Sequence, residues 1–149
     1  MAVVSREGRQ PLAEAELFDG DAPVQTLHGD AADGRVLVLG GTTDDSELLA
    51  STEVFDPATN RFTTGPTMNG RRYKFSEAIA VINGGLVVAG GNQIEICHAL
   101  TNRFETVPGS QGVWRSAATA TALSNGSVLV VGGYDERIRA HHDAVVIRT

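Results

Sequence analysis

Two short runs in this chain set cations beside aromatic rings: Arg71-Arg72-Tyr73-Lys74 and Val113-Trp114-Arg115. That pairing suits a binding surface. Guanidinium groups grip carboxylates in a fork, and cations beside aromatic faces can hold anions or stack on sugars. Arg72, Tyr73, Trp114 and Arg115 are therefore the candidate binding residues. A plainer reading stands beside this one. Trp114 packs between structural units, and the arginines are solvated or pair with nearby acids, since long cationic side chains usually lie on surfaces.

Other groups invite chemistry and fail on geometry. His141-His142-Asp143 has the composition of a metal site. Neighbours on a strand point to opposite faces, so the two imidazoles do not share one ion easily. No other histidine or cysteine lies at ligand spacing, and a polar strand start explains the run. Cys97-His98 has the same defect as a nucleophile and base. Asp44-Asp45-Ser46-Glu47 lacks the alternating order of a dedicated calcium loop and reads as a solvated acidic loop. Asn125-Gly126-Ser127 fits a glycosylation sequon, but a turn already requires those residues. No catalytic residue, cofactor or metal is assigned from the sequence.

The chain that must position these groups has 149 residues, enough for a sizeable core. It is 42% hydrophobic and 20% charged, which argues against disorder. Its 18 acidic and 12 basic residues leave a net charge of −6, a poor match to phosphate backbones, so nucleic acid is not an expected partner. The single cysteine, Cys97, excludes an intramolecular disulfide and fits a reducing compartment. The first residues lack the apolar run of a signal peptide, and no stretch approaches the ~18 apolar residues of a membrane span. A complete chain of this kind is expected in the cytoplasm.

Glycine placement carries the strongest signal. Asp33-Gly34, Asn83-Gly84 and Asn125-Gly126 each precede an apolar run and then a glycine pair. The runs are Val36-Leu37-Val38-Leu39, Leu86-Val87-Val88-Ala89 and Val128-Leu129-Val130-Val131. Asx-Gly suits a type I′ hairpin turn with positive φ at both central residues. An unbroken apolar run predicts a strand buried on both faces, and the pair that follows ends it. Thr59-Asn60-Arg61-Phe62 recurs as Thr101-Asn102-Arg103-Phe104, Pro66 as Pro108, Gly70 as Gly112, Gly84 as Gly126 and Gly90 as Gly132, all 42 residues apart. The doublets Gly40-Gly41 and Gly90-Gly91 are 50 apart, so eight extra residues form a loop around Thr42–Glu47. A fading earlier copy covers Ala13–Asp19, matched to Glu53-Val54-Phe55-Asp56.

With its glycine doublet, its Glu-Val-Phe-Asp-Pro-Ala-Thr-Asn-Arg-Phe segment and its Pro-x-Met step, the sequence resembles the kelch-repeat β-propeller family, of the bacterial, galactose-oxidase central-domain type. The resemblance implies an all-β fold of four-stranded antiparallel blades, with inner strands lining a channel and loops at one end forming the ligand surface. Phe62 and Phe104 replace the family's usual tryptophan. Inner strands are expected near Ser76–Ile82 and Ser116–Leu123. Second strands are expected at Arg35–Leu39, Gly85–Ala89 and Ser127–Val131, and third strands at Thr52–Asp56, Gln93–His98 and Ala144–Arg148. Outer strands are expected at Arg61–Thr63 and Arg103–Thr106.

The whole chain reads as one repeat-built domain. Residues 1–33 form a degenerate partial blade, 34–70 and 71–112 form blades, and 113–149 form a blade lacking its outer strand. Three to three and a half blades make an incomplete propeller unless oligomerisation completes it, for instance as a homodimer closing the ring. The empty outer position leaves an edge that another strand could fill, with Ala2–Val4 one candidate. Three functional readings follow. The first is a non-enzymatic module binding a protein or carbohydrate at Arg72, Tyr73, Trp114 and Arg115. The second is a carbohydrate-active enzyme like the sialic acid mutarotases, with Glu77 and Arg115 as its acid–base and cationic groups. The third is a truncated, inactive copy. The copper and cysteine-modified tyrosine of galactose-oxidase-type enzymes cannot be placed on Cys97, Tyr73, Tyr134 and the four histidines.

Overall fold

The three apolar runs form the second strands of three sheets. A computed structural model describes residues 3–4, 35–42, 47–73, 75–112 and 114–149. In it β1 (Val3–Val4), β2 (Val36–Leu39), β3 (Thr52–Asp56) and β4 (Arg61–Thr64) lie in that order in the first sheet. The second holds β5 (Ile79–Ile82), β6 (Gly85–Val88), β7 (Glu95–His98) and β8 (Arg103–Thr106). The third holds β9 (Thr119–Ala122), β10 (Val128–Val131) and β11 (Ala144–Ile147), with β11 at an edge. Second, third and outer strands fall where the sequence places them, within two residues at each end. The fold is all-β, with partial kelch-type blades and no closed ring among the described residues. The fading copy at Ala13–Asp19 and the Asp44-Asp45-Ser46 part of the acidic run lie outside those residues, as do Lys74 and Val113.

Turn chemistry explains the recurrent Thr-Asn-Arg-Phe. Asn60 and Asn102 take positive φ (52° and 51°) just before β4 and β8, a conformation that asparagine tolerates well. Asp56 Oδ1 accepts a hydrogen bond from the Ala58 amide (2.8 Å) and braces the first of these turns. The type I′ expectation is corrected. At Asn83-Gly84 and Asn125-Gly126 only the glycine has positive φ, 85° in each. In the second case the Gly126 amide donates to Leu123 O (3.0 Å) and the Leu123 amide to Ser127 O (2.8 Å), a three-residue loop closed by a left-handed glycine.

The inner strands are shorter than expected. Ser76–Ala78 form a 3-10 turn, with the Ala78 amide donating to Phe75 O (2.8 Å), because Phe75 turns fully into the core. Before β9, Ala117 takes φ 51° and breaks the strand after the Ser116–Tyr134 bridge. The expectation of purely antiparallel blades is also corrected. β1 takes the inner position of the first sheet and pairs parallel to β2, Val3 with Leu37 and Val4 with Val38. The N-terminal strand therefore does not fill the outer edge of the third sheet.

Residues of all three sheets meet in one apolar cluster, alternate ones from β2 and β10 and consecutive ones from β6. It includes Leu37 and Leu39 from the first sheet, Ile79, Leu86, Val87, Val88 and Phe104 from the second, and Val128, Val130 and Ile147 from the third. The inner strands β5 and β9 run next to each other and join the second sheet to the third. On the far side of the third sheet Val131 and Val146 are exposed.

Candidate functional site

Arg72 enters the fold where the sequence predicts a surface cation. Its backbone joins the first sheet: the Arg72 amide donates to Leu49 O (3.0 Å), and Arg72 O accepts from the Gly41 amide (2.9 Å). Its side chain turns into the second sheet and is fully buried. There the guanidinium pairs with Glu95, also fully buried. It donates further to the carbonyls of Gly90, Val88 (3.3 Å) and Gln93 (3.3 Å), and its Cζ lies 5.9 Å from the centre of the Phe75 ring. Glu95 also accepts from the amides of Asn69 (2.7 Å) and Gly70 (2.8 Å), and from the Asn69 (3.1 Å) and Gln93 (3.1 Å) side chains. Burial pulls the Arg72 pKa below its ordinary value, against the raising effect of Glu95.

Arg115 repeats this arrangement one sheet on. Its backbone pairs with Gly91 of the preceding doublet, and its side chain is buried. Nη1 donates to Gly132 O (2.9 Å), the counterpart of Gly90, and Nη2 to Asp143 Oδ2 (2.6 Å). Asp143 therefore stands where Glu95 stands. The hydrogen bond and charge of Arg115 hold its carboxyl below the usual carboxylate range. The Asp143 side chain is 58% exposed, and Arg115 Nε is buried without a partner. Both arginines thus brace blade junctions: each pairs with an acid, as the plainer reading allowed, but from a buried position and not a solvated one. A cation moves inside when a carboxylate and several carbonyls surround it.

Between Gly132 and Asp143 lie six more residues than between Gly90 and Glu95 (intervals of 11 and 5). They form a hairpin closed by the Tyr134–Ala140 bridge. Asp135 organises it. Its Oδ1 accepts from the amides of Arg137 (2.8 Å) and Arg139 (2.9 Å), its Oδ2 accepts from Arg139 Nε (2.8 Å), and its amide donates to Arg139 O (3.0 Å). Those bonds draw the Asp135 pKa down to about 2. At the tip Ile138 is 80% exposed and takes φ 61°. A β-branched residue in that region is strained, and glycine or asparagine is the usual occupant.

Trp114 is half-buried beside this loop. Its indole Nε1 donates to Ser116 Oγ (2.8 Å), and its carbonyl accepts from His141 Nε2 (2.9 Å). Tyr73, also half-buried, follows Arg72 next to the first sheet's inserted loop, which the Thr42–Leu48 bridge closes. The structure therefore brings Trp114 and Arg115 together with His141 and Asp143, and places Arg72 and Tyr73 one junction away. Sequence reasoning weighed His141 and Asp143 only as metal ligands and missed both their contacts here and Ile138. The unequal doublet-to-acid spacing and the Asp135–Arg139 pair four residues apart were the available signals.

Residues 31–69, from just before β2 to the Pro-Thr-Met step after β4, match the family model described as the Kelch motif. Over that stretch the match supports a kelch-repeat family. No curated protein matches it.

Within this kelch fold the remaining candidates sit apart from one another. Cys97 is buried in β7, and burial, with Glu95 adding to it, pushes its thiol up to about 11. His98 lies near the exposed Glu105, Nε2 to Oε2 3.5 Å. Glu77 is exposed on the 3-10 turn, while Arg115 is committed to Asp143. His141 Nδ1 lies 3.6 Å from Asp143 Oδ1, and His142 is exposed. Among the described residues no group of three or more His, Cys, Asp or Glu is placed to hold a metal. Glu47, the described end of the acidic run, pairs with Arg71 (3.2 Å).

Proposed function

We propose that this kelch chain is a non-enzymatic interaction module, and that it takes a protein partner at the doublet end of its sheets. Kelch motifs generally mediate protein interactions. Among the described residues no helix is long and apolar enough to cross a membrane. The observation that carries the reading is the Asp135-braced loop with Ile138 at its tip. A side chain held in a strained conformation and shown to solvent has no folding benefit of its own, and such strain gathers at binding sites. Large apolar side chains presented on rigid scaffolds are the usual anchors of protein interfaces. Trp114 and Tyr73 extend the surface, while Arg72 and Arg115 hold the scaffold beneath it.

The test is a comparative capture. Immobilised wild-type chain, Ile138→Asn, Trp114→Ala and Glu77→Ala are exposed to the same extract. The reading requires a protein retained by the wild type and Glu77→Ala, and lost from Ile138→Asn. A protein retained equally by all four sinks the site. Circular dichroism confirms that each variant folds.

A further inference from the structure

His141 stands between two oxygens. Its Nε2 lies 2.9 Å from the carbonyl of Trp114, and its Nδ1 lies 3.6 Å from Asp143 Oδ1. A neutral imidazole carries one hydrogen, on one nitrogen or the other. With the hydrogen on Nε2 the ring donates to Trp114 O, and the Nδ1 lone pair faces a carboxylate. With the hydrogen on Nδ1, the Nε2 lone pair meets the carbonyl at hydrogen-bond distance. Either tautomer sets a lone pair against an oxygen. The imidazolium presents N–H groups on both sides and fits both neighbours.

The ring sits where the loop is fastened. His141 follows Ala140, whose bridge to Tyr134 closes the loop, and the His141 amide donates to Gly133 O (2.8 Å). Tyr134 in turn bridges to Ser116, two residues after Trp114. The contact of His141 with Trp114 O therefore ties the returning arm of the Ile138 loop to the segment that enters the third sheet. The other charged groups around the ring are already engaged or face solvent. Asp143 accepts from Arg115 through its second oxygen (Nη2 to Oδ2, 2.6 Å), and that bond, with the charge of His141 adding to it, holds the carboxyl below the usual carboxylate range. Asp135 and Arg139 pair with each other inside the loop (2.6 Å), and Glu136, Arg137 and His142 are exposed. Asp135 and Asp143 are thus ionised throughout the range in which a histidine changes charge.

We propose that His141 is a pH-sensitive clasp: in mild acid its imidazolium locks the Ile138 loop to the Trp114 segment, and above neutrality the neutral ring releases one side and the loop loosens. A loop held in its binding shape gives up less freedom on contact, so a partner is captured better in mild acid. That consequence rests on the Ile138 loop being the contact surface proposed above; the clasp itself does not.

The clasp can be tested without a partner. The Ile138 and His141 amides donate to Asp135 O (2.9 Å) and Gly133 O (2.8 Å). Their hydrogen exchange is followed by NMR at about pH 5.5 and about pH 7.5, and corrected for the intrinsic rate at each pH. Protection should be about two- to fivefold higher at the lower pH, the scale of a partly exposed charge pair. His141→Gln keeps a donor for Trp114 O but cannot titrate, so its protection should not change with pH. His142→Gln should behave as the wild type. The Gly65 amide, bonded to Thr52 O (2.9 Å) in the first sheet, should show no change in any of the proteins. Equal protection of the wild-type loop at the two pH values overturns the inference, and so does the same pH change in His141→Gln. If protection shifts as expected while Ile138→Asn captures partners like the wild type, the clasp stands and the contact surface falls.

Discussion

A methyl group added to the Gly90 α-carbon would lie 2.1 Å from the Cβ of Phe75. Phe75 is fully buried, and the contact fixes the 3-10 turn before β5 against the doublet that ends β6. Gly90→Ala therefore overpacks the sheet and should cost about 1–3 kcal/mol. A urea midpoint unchanged from wild type would show that Phe75 can step aside.

The Arg72–Glu95 pair makes a sharper prediction. Removing one partner leaves a buried charge alone, so Arg72→Met or Glu95→Gln should cost about 3–5 kcal/mol. The double variant Arg72→Met with Glu95→Leu should recover part of that loss, because no charge is then stranded. Denaturant unfolding of the three proteins measures the coupling. Equal losses in the single and double variants would argue that the hydrogen bonds to carbonyls matter more than the ion pair.

Asp135 predicts the acid behaviour of the loop. Its folded-state pKa, about 2, lies below the ordinary carboxylate value of about 3.9. The folded loop favours the ionised form. Its contribution is complete above about pH 4 and is lost as the pH falls toward about 2. Amide exchange at Arg137 and Arg139 should accelerate across that window, and Asp135→Asn should remove the transition.

Cys97 should report on opening of the second sheet. With its thiol pushed up to about 11 it is almost wholly protonated near neutrality. At about pH 8 it should react with a thiol reagent on the order of 100-fold more slowly than free cysteine. Denaturant should restore the ordinary rate. Fast labelling of the native chain would mean that β7 opens often.

Strain at Ile138 should be measurable as stability. Asparagine accepts positive φ more readily than a β-branched residue. Ile138→Asn should raise the unfolding free energy by about 1 kcal/mol while weakening partner capture. Loss of stability would show that the isoleucine packs against something within the chain.

The fold was legible because its signals are local. Glycine doublets, Asn-Gly turns and four-residue apolar runs lie within a few positions of one another, and they placed β2, β3, β4, β6, β8, β10 and β11. The arginines were not legible because their surroundings are assembled from afar. Arg72 and Glu95 are 23 residues apart, and Arg115 and Asp143 are 28 apart, so no window of sequence shows either pair. The habit of long cations to stay wet pointed the wrong way at both. The Tyr134–Ala140 loop was hidden for another reason. The 42-residue recurrence holds through Gly132, and the six extra residues before Asp143 fall beyond its last landmark.

The parallel pairing of β1 with β2 has a kinetic corollary. The second sheet is made of neighbours in sequence: β5, β6, β7 and β8 each follow through a short connection, and they need little chain closure to meet. The first sheet gains its innermost strand only when residues 3–4 find 37–38, a non-local contact. Contacts of that kind form late. Folding should spread outward from β5–β8, with the opening residues of the chain docking last and leaving first.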